Sequence, residues 1–177
     1  MNKYILKNGE IEITNEFSEG HMDEFLMGAN EIELGFRLMA HSFPYPYTKE
    51  DALAFITKNR ESGKEIFEID FYIMYRNEFA GVIGLSDIDH ENSRAHIGYW
   101  IAKNNRNKGI GGKALELAIQ FARKTLKLNS LYTNVLTSNI PSIIILTRNG
   151  FTMDGISRYC FRYENKFFSA FIFSLLL

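Results

Sequence analysis

A polar, glycine-rich run, Asn104-Asn105-Arg106-Asn107-Lys108-Gly109-Ile110-Gly111-Gly112, stands between an alternating apolar segment and the most regularly periodic segment of the chain. On its N-terminal side, Ser93–Ala102 reads as a strand. On its C-terminal side, Lys113–Leu126 carries Leu115, Ala118, Ile119, Ala122 and Leu126 at the spacing of one helix face. A further strand at Ser130–Thr137 completes a βαβ unit, whose two strands run parallel. A helix start carries unpaired backbone N–H groups and the positive end of the helix dipole. Gly109, Gly111 and Gly112 remove side chains at that place, and Arg106, Lys108 and Lys113 add positive charge. Such a combination binds a phosphate or a pyrophosphate.

The rest of the pattern is α+β, in a single domain over residues 1–177. Glu10–Phe17 alternates around Ile11 and Ile13 as a strand. Two short helices follow at Glu19–Met27 and Glu31–Ala40, and the prolines make His41–Tyr47 a loop. Thr48 opens a helix whose apolar face is Leu53, Phe55 and Ile56. Glu65–Arg76 and Phe79–Asp89 form a hairpin that breaks at Asn77. Ser138–Asn149 reads as a helix, with Asn139 as N-cap, Pro141 in the first turn and Gly150 at its end. Phe151–Tyr163 and Phe167–Leu175 close the chain as two strands around Glu164-Asn165-Lys166. The sheet expected is mostly antiparallel.

Length and composition exclude several classes. The 177 residues are 46% hydrophobic and 14% aromatic, which suits one globular core. The apolar C-terminal run is too short to span a bilayer, and the first residues lack the apolar stretch of a signal peptide. Cys160 is the single cysteine, so no internal disulfide and no cysteine metal site is expected. The plain expectation is a cytoplasmic protein with no membrane contact. Residues 1–100 hold 18 acidic and 9 basic side chains, against 3 and 11 in residues 101–177. The basic half suits an anion and the acidic half a cation, while the acidic half would repel nucleic acid. Gly109–Ala114 also satisfies a dinucleotide fingerprint. However, Thr133–Thr137 lacks the acid such a site needs on the next strand. A phosphate-binding loop of the NTPase kind is excluded because no Ser or Thr follows Gly112-Lys113.

Arg106-Asn107-Lys108-Gly109-Ile110-Gly111 matches the signature Q/R-x-x-G-x-G/A, and the chain resembles the GNAT N-acetyltransferases. Phe43–Thr48, Gly81–Leu85, Ala95–Ile101 and Asn139–Ser142 with Asn149-Gly150-Phe151 are similar, in order, to segments of the RimJ/RimL-like branch. The resemblance implies a GNAT fold in which Ser93–Ala102 and Ser130–Thr137 splay apart around the pantetheine arm of acetyl-CoA. It places the arm on the backbone near Ile101 and the pyrophosphate on Lys108, Gly109, Ile110, Gly111, Gly112 and Lys113 beside Arg106. Asn139 and Ser142 lie near the thiol end. No metal is expected.

The implied reaction is direct attack of an amine on the thioester, with a backbone N–H stabilising the oxyanion. Cys160 lies far from the motif, so an acetyl-enzyme is not expected. His96 stands where many relatives carry an acid and is the candidate base, with Glu33, Asp87 and Asp89 as other proton acceptors. Many relatives place a tyrosine at the position of Leu146, so Ser142 becomes the candidate acid. Phe168-Ser169 replaces a His-Asp pair common in the branch. The acceptor expected is a protein N-terminal α-amine, or a small cationic amine such as a polyamine or an aminoglycoside. A homodimer is common in the family. The departures at His96 and Leu146 leave a non-catalytic acyl-CoA-binding module as the rival.

Overall fold

Gly9-Glu10 turns the chain back on itself at the start: strand β1 (Ile5–Asn8) pairs antiparallel with β2 (Ile11–Thr14), and Gly9 takes φ 62 in the turn. Gly9 and Glu10 are the two turn residues, and glycine takes the positive φ without steric cost. The computed structural model describes residues 2–40, 43–61 and 66–177. Helices α1 (Met22–Ala29), α2 (Leu34–Arg37) and α3 (Lys49–Glu61) follow β2. Then come β3 (Ile69–Tyr75), β4 (Glu78–Asp89), β5 (Arg94–Ile101), α4 (Ile110–Lys124), β6 (Ser130–Leu136), α5 (Ile140–Arg148), β7 (Thr152–Tyr163) and β8 (Lys166–Leu176). Eight strands form one sheet in the order β1-β2-β3-β4-β5-β6-β8-β7. Only β5 and β6 run parallel, joined by α4, so the expected βαβ unit and the mostly antiparallel α+β sheet are both present.

Alternation sorts the side chains of the sheet into two cores. Ile69, Phe71, Ile83, Leu85, Ala95 and Ile97 face the helix pair α4 and α5 in the larger cluster. Tyr72 and Val82 face α1 and α3 in the smaller one, with Trp100 packed against it. Ile110, Ala114, Leu115, Leu117, Ala118, Phe121 and Ala122 of α4 are all buried. Each large apolar side chain so buried contributes about 1.5–3 kcal/mol.

Several sequence expectations shift. The expected strand at Glu10–Phe17 has a partner, β1, whose signal in the sequence is Gly9 just before it. Helix α4 begins at Ile110, so Gly111 and Gly112 belong to its first turn and not to the loop. On α3, Ala52 and Ile56 are buried and Leu53 is 43% exposed. The correction follows from helix geometry: positions 52 and 56 share a face, and position 53 is turned about 100° away. His41, Ser42 and Glu65, expected in a loop and at a strand start, lie outside the described residues. No helix among the described residues is long and apolar enough to cross a membrane.

Gly81 holds β4 against β5. A Cβ there would lie 2.2 Å from the Trp100 carbonyl oxygen and 3.0 Å from the Ile101 Cα, both backbone atoms of the adjacent strand. Neither can move unless the two strands part. Gly81→Ala is expected to destabilise the fold by about 3 kcal/mol, read as a drop in urea midpoint at unchanged slope. A midpoint within error of the parent would show that the strands separate freely here.

Candidate functional site

The parallel ladder between β5 and β6 lasts three residue pairs, Arg94↔Ser130, Ala95↔Leu131 and His96↔Tyr132, and then the strands diverge. The Ala102 N–H donates to the Ala80 carbonyl on the other side of β5 at 2.9 Å. By the pleat, Ile101 and Tyr99 therefore turn their backbone groups toward the gap. One of those groups is already used: the Ile101 carbonyl accepts a bond from Arg106 Nε at 2.9 Å. The expectation of an open backbone at Ile101 thus holds for its N–H and not for its carbonyl.

Arg106 is committed twice. Besides Ile101, its guanidinium pairs in a fork with the Glu31 carboxylate, one arm at 2.7 Å and the other a short contact from Nη2 to Oε2. A forked arginine–carboxylate pair fixes geometry as well as charge. The cation expected to face a phosphate is instead a clamp between the end of α1 and the end of β5. Lys108 and Lys113 remain exposed, Lys108 beside Asn105 and above the Tyr75 ring.

The N-terminus of α4 carries no side-chain cap. Gly109 precedes it at φ 75, a left-handed conformation that suits glycine. A Cβ at Gly109 would meet nothing within 4 Å, and one at Gly112 would meet only Asn149 Nδ2 at 3.8 Å. Gly111 differs. Its missing side chain would point at Ile145 Cδ1, 3.2 Å away, and at Ile101 Cγ1, 3.4 Å away. Gly111 therefore makes room for α5 and β5, while Gly109 and Gly112 leave the outer approach to the helix N–H groups open.

Across the gap, α5 starts as expected. The Asn139 side chain caps it by accepting from the Ser142 N–H at 3.4 Å. Leu146 is fully buried in the core under the sheet. The polar side chain brought to Ser142 comes from β5: Tyr99. Burial pushes its pKa up to about 12, and the Ser142 side chain pulls it back toward the ordinary value. The contact does not complete a hydrogen bond, and the Tyr99 hydroxyl is buried without one. A buried polar group in that state needs a reason.

The other face of β5 presents His96, Gly98 and Trp100, as the alternation predicts. His96 Nδ1 lies 3.2 Å from Ser86 Oγ, and its ring stands edge-on to Tyr132. Burial lowers its pKa from the ordinary 6.5, against a smaller upward pull from Asp87. Its neutral form therefore dominates at pH 7, the form that accepts a proton. A Cβ on Gly98 would come within 3.7 Å of His96 Cε1, so that glycine leaves space beside the ring. The other acids named from sequence are dispersed. Glu33 is exposed near Arg37, Asp89 binds Asn92 in a turn, and Asp87 is exposed. Cys160 is exposed on β7.

Two residues of the site escaped the sequence reading. Tyr99 was hidden within the alternation of β5. Asp70 lies on β3, registered with Gly84 on β4 and through it with Gly98 on β5. Its signal was a single acid between Ile69 and Phe71 in an apolar run.

These features make a narrow gap with unpaired backbone on one edge, an uncapped helix start at its mouth and a neutral histidine on the far face. Residues 16–152 match the family model of the Acetyltransferase (GNAT) domain. The chain is 33% identical over 100 residues to "Uncharacterized N-acetyltransferase p20" of Bacillus licheniformis, covering 56% of each protein. It is 34% identical over 90 residues to "Putative ribosomal N-acetyltransferase YdaF" of Bacillus subtilis, covering 51% of this chain and 49% of that protein. The match thus spans about half the length of these curated relatives. The crystal structure of a "Probable acetyltransferase" superposes with a TM-score of 0.84 at 25% identity, covering 98% of this chain and 97% of the other.

The orphaned hydroxyl gives a stability prediction. Removing a buried, unbonded polar group relieves its desolvation cost, so Tyr99→Phe is expected to stabilise the free protein by about 1 kcal/mol. Denaturant unfolding measures this. A loss of stability would mean that the hydroxyl is bonded in the free protein.

Proposed function

The chain belongs to the GNAT acetyltransferase family, and from that premise we propose that it moves the acetyl group of acetyl-CoA to a primary amine by direct attack in a ternary complex. The carrying observation is the ladder that ends after His96 and Tyr132, opening a gap beside the uncapped start of α4. In this reading the N–H groups of Ile110, Gly111 and Gly112, with Lys108 and Lys113, hold the pyrophosphate. The Tyr99 edge of β5 and the Ile101 N–H bond the pantetheine amides, and Asn139 and Ser142 border the thiol end. The name of the relative described as a putative ribosomal N-acetyltransferase supports a protein amine as acceptor. The apolar cavity described below supports a small amine.

The chemistry follows from which groups can take and give protons. A protonated amine must lose a proton before it attacks. His96, held neutral by burial, takes it. The C–N bond then forms, the carbonyl oxygen gathers charge near the unpaired β5 N–H groups, and the C–S bond breaks. Ser142 passes a proton to the departing thiolate and takes in exchange the second proton of the newly acylated nitrogen, which leaves a neutral amide and a restored hydroxyl. Tyr99, protonated across the whole working pH range, stands beside Ser142 with its hydroxyl unbonded in the free protein.

Acetyl-CoA is expected to raise the melting temperature, by about 2.7 kcal/mol of added stability at a hundredfold excess over Kd, and NADH is not. Gly112→Asp should keep the fold, because the added Cβ meets only ordinary contact and acids suit a helix start. The same carboxylate should repel the pyrophosphate and remove most of the acetyl-CoA shift. An undiminished shift would separate α4 from the cofactor.

His96 carries the pH dependence. Its folded pKa lies below 6.5, so kcat should be full above that value and fall as pH drops through the lowered pKa. His96→Ala should lower kcat by roughly 10²–10⁴, leave acetyl-CoA binding intact and abolish this acidic limb. A variant that keeps the limb would assign proton removal to another group.

A further inference from the structure

Between α1, α3 and the face of β4 and β5 lies a cavity of about 220 Å³, lined by Phe25, Phe43, Tyr47, Phe55, Val82 and Trp100 among others. Among the described residues its walls are rings and alkyl groups, with no charged side chain. Phe43 and Tyr47 stack at 5.1 Å, and Phe25 meets Trp100 edge-on at 6.0 Å. This is smaller than the roughly 300–1,000 Å³ of sites for drug-sized ligands, so it suits one compact group and not a whole extended molecule.

The cavity is one step along the strands from the place where an amine would react. Tyr72, Val82 and Trp100 are in register across β3, β4 and β5, and Asp70, Gly84 and Gly98 form the adjacent row. The rows are two residues apart, about 6.6 Å. Two glycines leave the second row bare. Asp70 leans over it, since a Cβ on Gly84 would stand 2.0 Å from Asp70 Oδ1. The charge of the carboxylate is also felt at Tyr47, whose pKa is raised to about 12 by burial first, then by Asp51 and by Asp70. Beyond Gly98 on the same face is His96.

On the transferase reading above, we infer that the acceptor is a primary ammonium with an aromatic or branched apolar group about two carbons away, the group seated among Phe25, Phe43, Tyr47, Phe55 and Trp100 and the ammonium held by Asp70 over Gly84 and Gly98. An apolar substituent gains by leaving water for such walls. A second ammonium would meet no carboxylate among the described lining residues, which disfavours a polyamine. The same chemistry occurs in a free arylalkylamine and in the N-terminal residue of a peptide that begins with phenylalanine.

Trp100 lines the cavity and is the single tryptophan of the chain, so its fluorescence reports occupancy without acetyl transfer. The probes are 2-phenylethylamine, 2-phenylethanol, spermidine, and tripeptide amides beginning with phenylalanine or with serine. The amine or the phenylalanine peptide should change Trp100 emission saturably, and whichever binds tighter identifies the source. Spermidine and the serine peptide should not change it over the same range. Asp70→Asn should weaken the responding amine about tenfold and leave 2-phenylethanol unchanged. Val82→Phe, which fills the floor, should abolish the response, and a retained acetyl-CoA melting shift confirms that variant as folded. Silence to both aromatic amines, an equal response to spermidine, or an Asp70→Asn variant that binds like the parent would each overturn the proposal. Aromatic amines that bind yet leave acetyl-CoA unconsumed would overturn the transferase reading and leave the cavity assignment standing.

Discussion

The site depends on a hydrogen-bond ladder that stops early. Continuous pairing between β5 and β6 would have satisfied every backbone group along both strands. Pairing for three residues leaves the remaining groups of Tyr99 and the Ile101 N–H facing a gap. Exposed backbone of that kind is ordinarily a liability that folds cover. Here the neighbouring elements keep it open. Helix α4 crosses from one strand to the other, and the bare side of Gly111 lets α5 and β5 close in behind it. Helix α5 starts at Asn139, across the gap from β5.

The same strand serves two surfaces because of its pleat. Odd-numbered positions of β5, from Ile97 to Ile101, face the helices that border the gap. Even-numbered positions, His96, Gly98 and Trp100, face the layer formed by α1 and α3. A reaction between a molecule lying in the gap and one lying on the opposite face therefore needs no moving part. The chain only has to omit side chains where the two would meet, and Gly84 and Gly98 do so. The register between strands is what makes these omissions line up, and Gly81 holds that register by bringing two backbones too close for any Cβ.

Local patterns were readable where local physics decides. The period of α4, the Asn139 cap with Pro141, and the parallel unit around the glycine run follow from spacing and turn chemistry. What could not be read was pairing at a distance. Nothing near Arg106 says that Glu31 will take its guanidinium, because 75 residues separate them. Gly111 looked like its neighbours Gly109 and Gly112, and only the packing of Ile145 distinguishes it. Asp70 was visible as an acid in an apolar strand. Its relation to Gly84, Gly98 and His96 exists only in the register of three strands. Leu53 went astray for a simpler reason, since a face one position off still looks apolar.

The Arg106–Glu31 clamp joins two territories, the layer that holds α1 and the loop that leads into α4. Glu31 follows α1, which walls the aromatic cavity, and Arg106 stands on the loop that leads into α4. One guanidinium thus holds a carboxylate from the first and a carbonyl from the edge of the second. Any occupant of one territory that shifts this guanidinium alters the free energy of the other. Thermodynamic linkage then makes the effect mutual: each occupant changes the binding constant of its neighbour by the same factor, whichever arrives first.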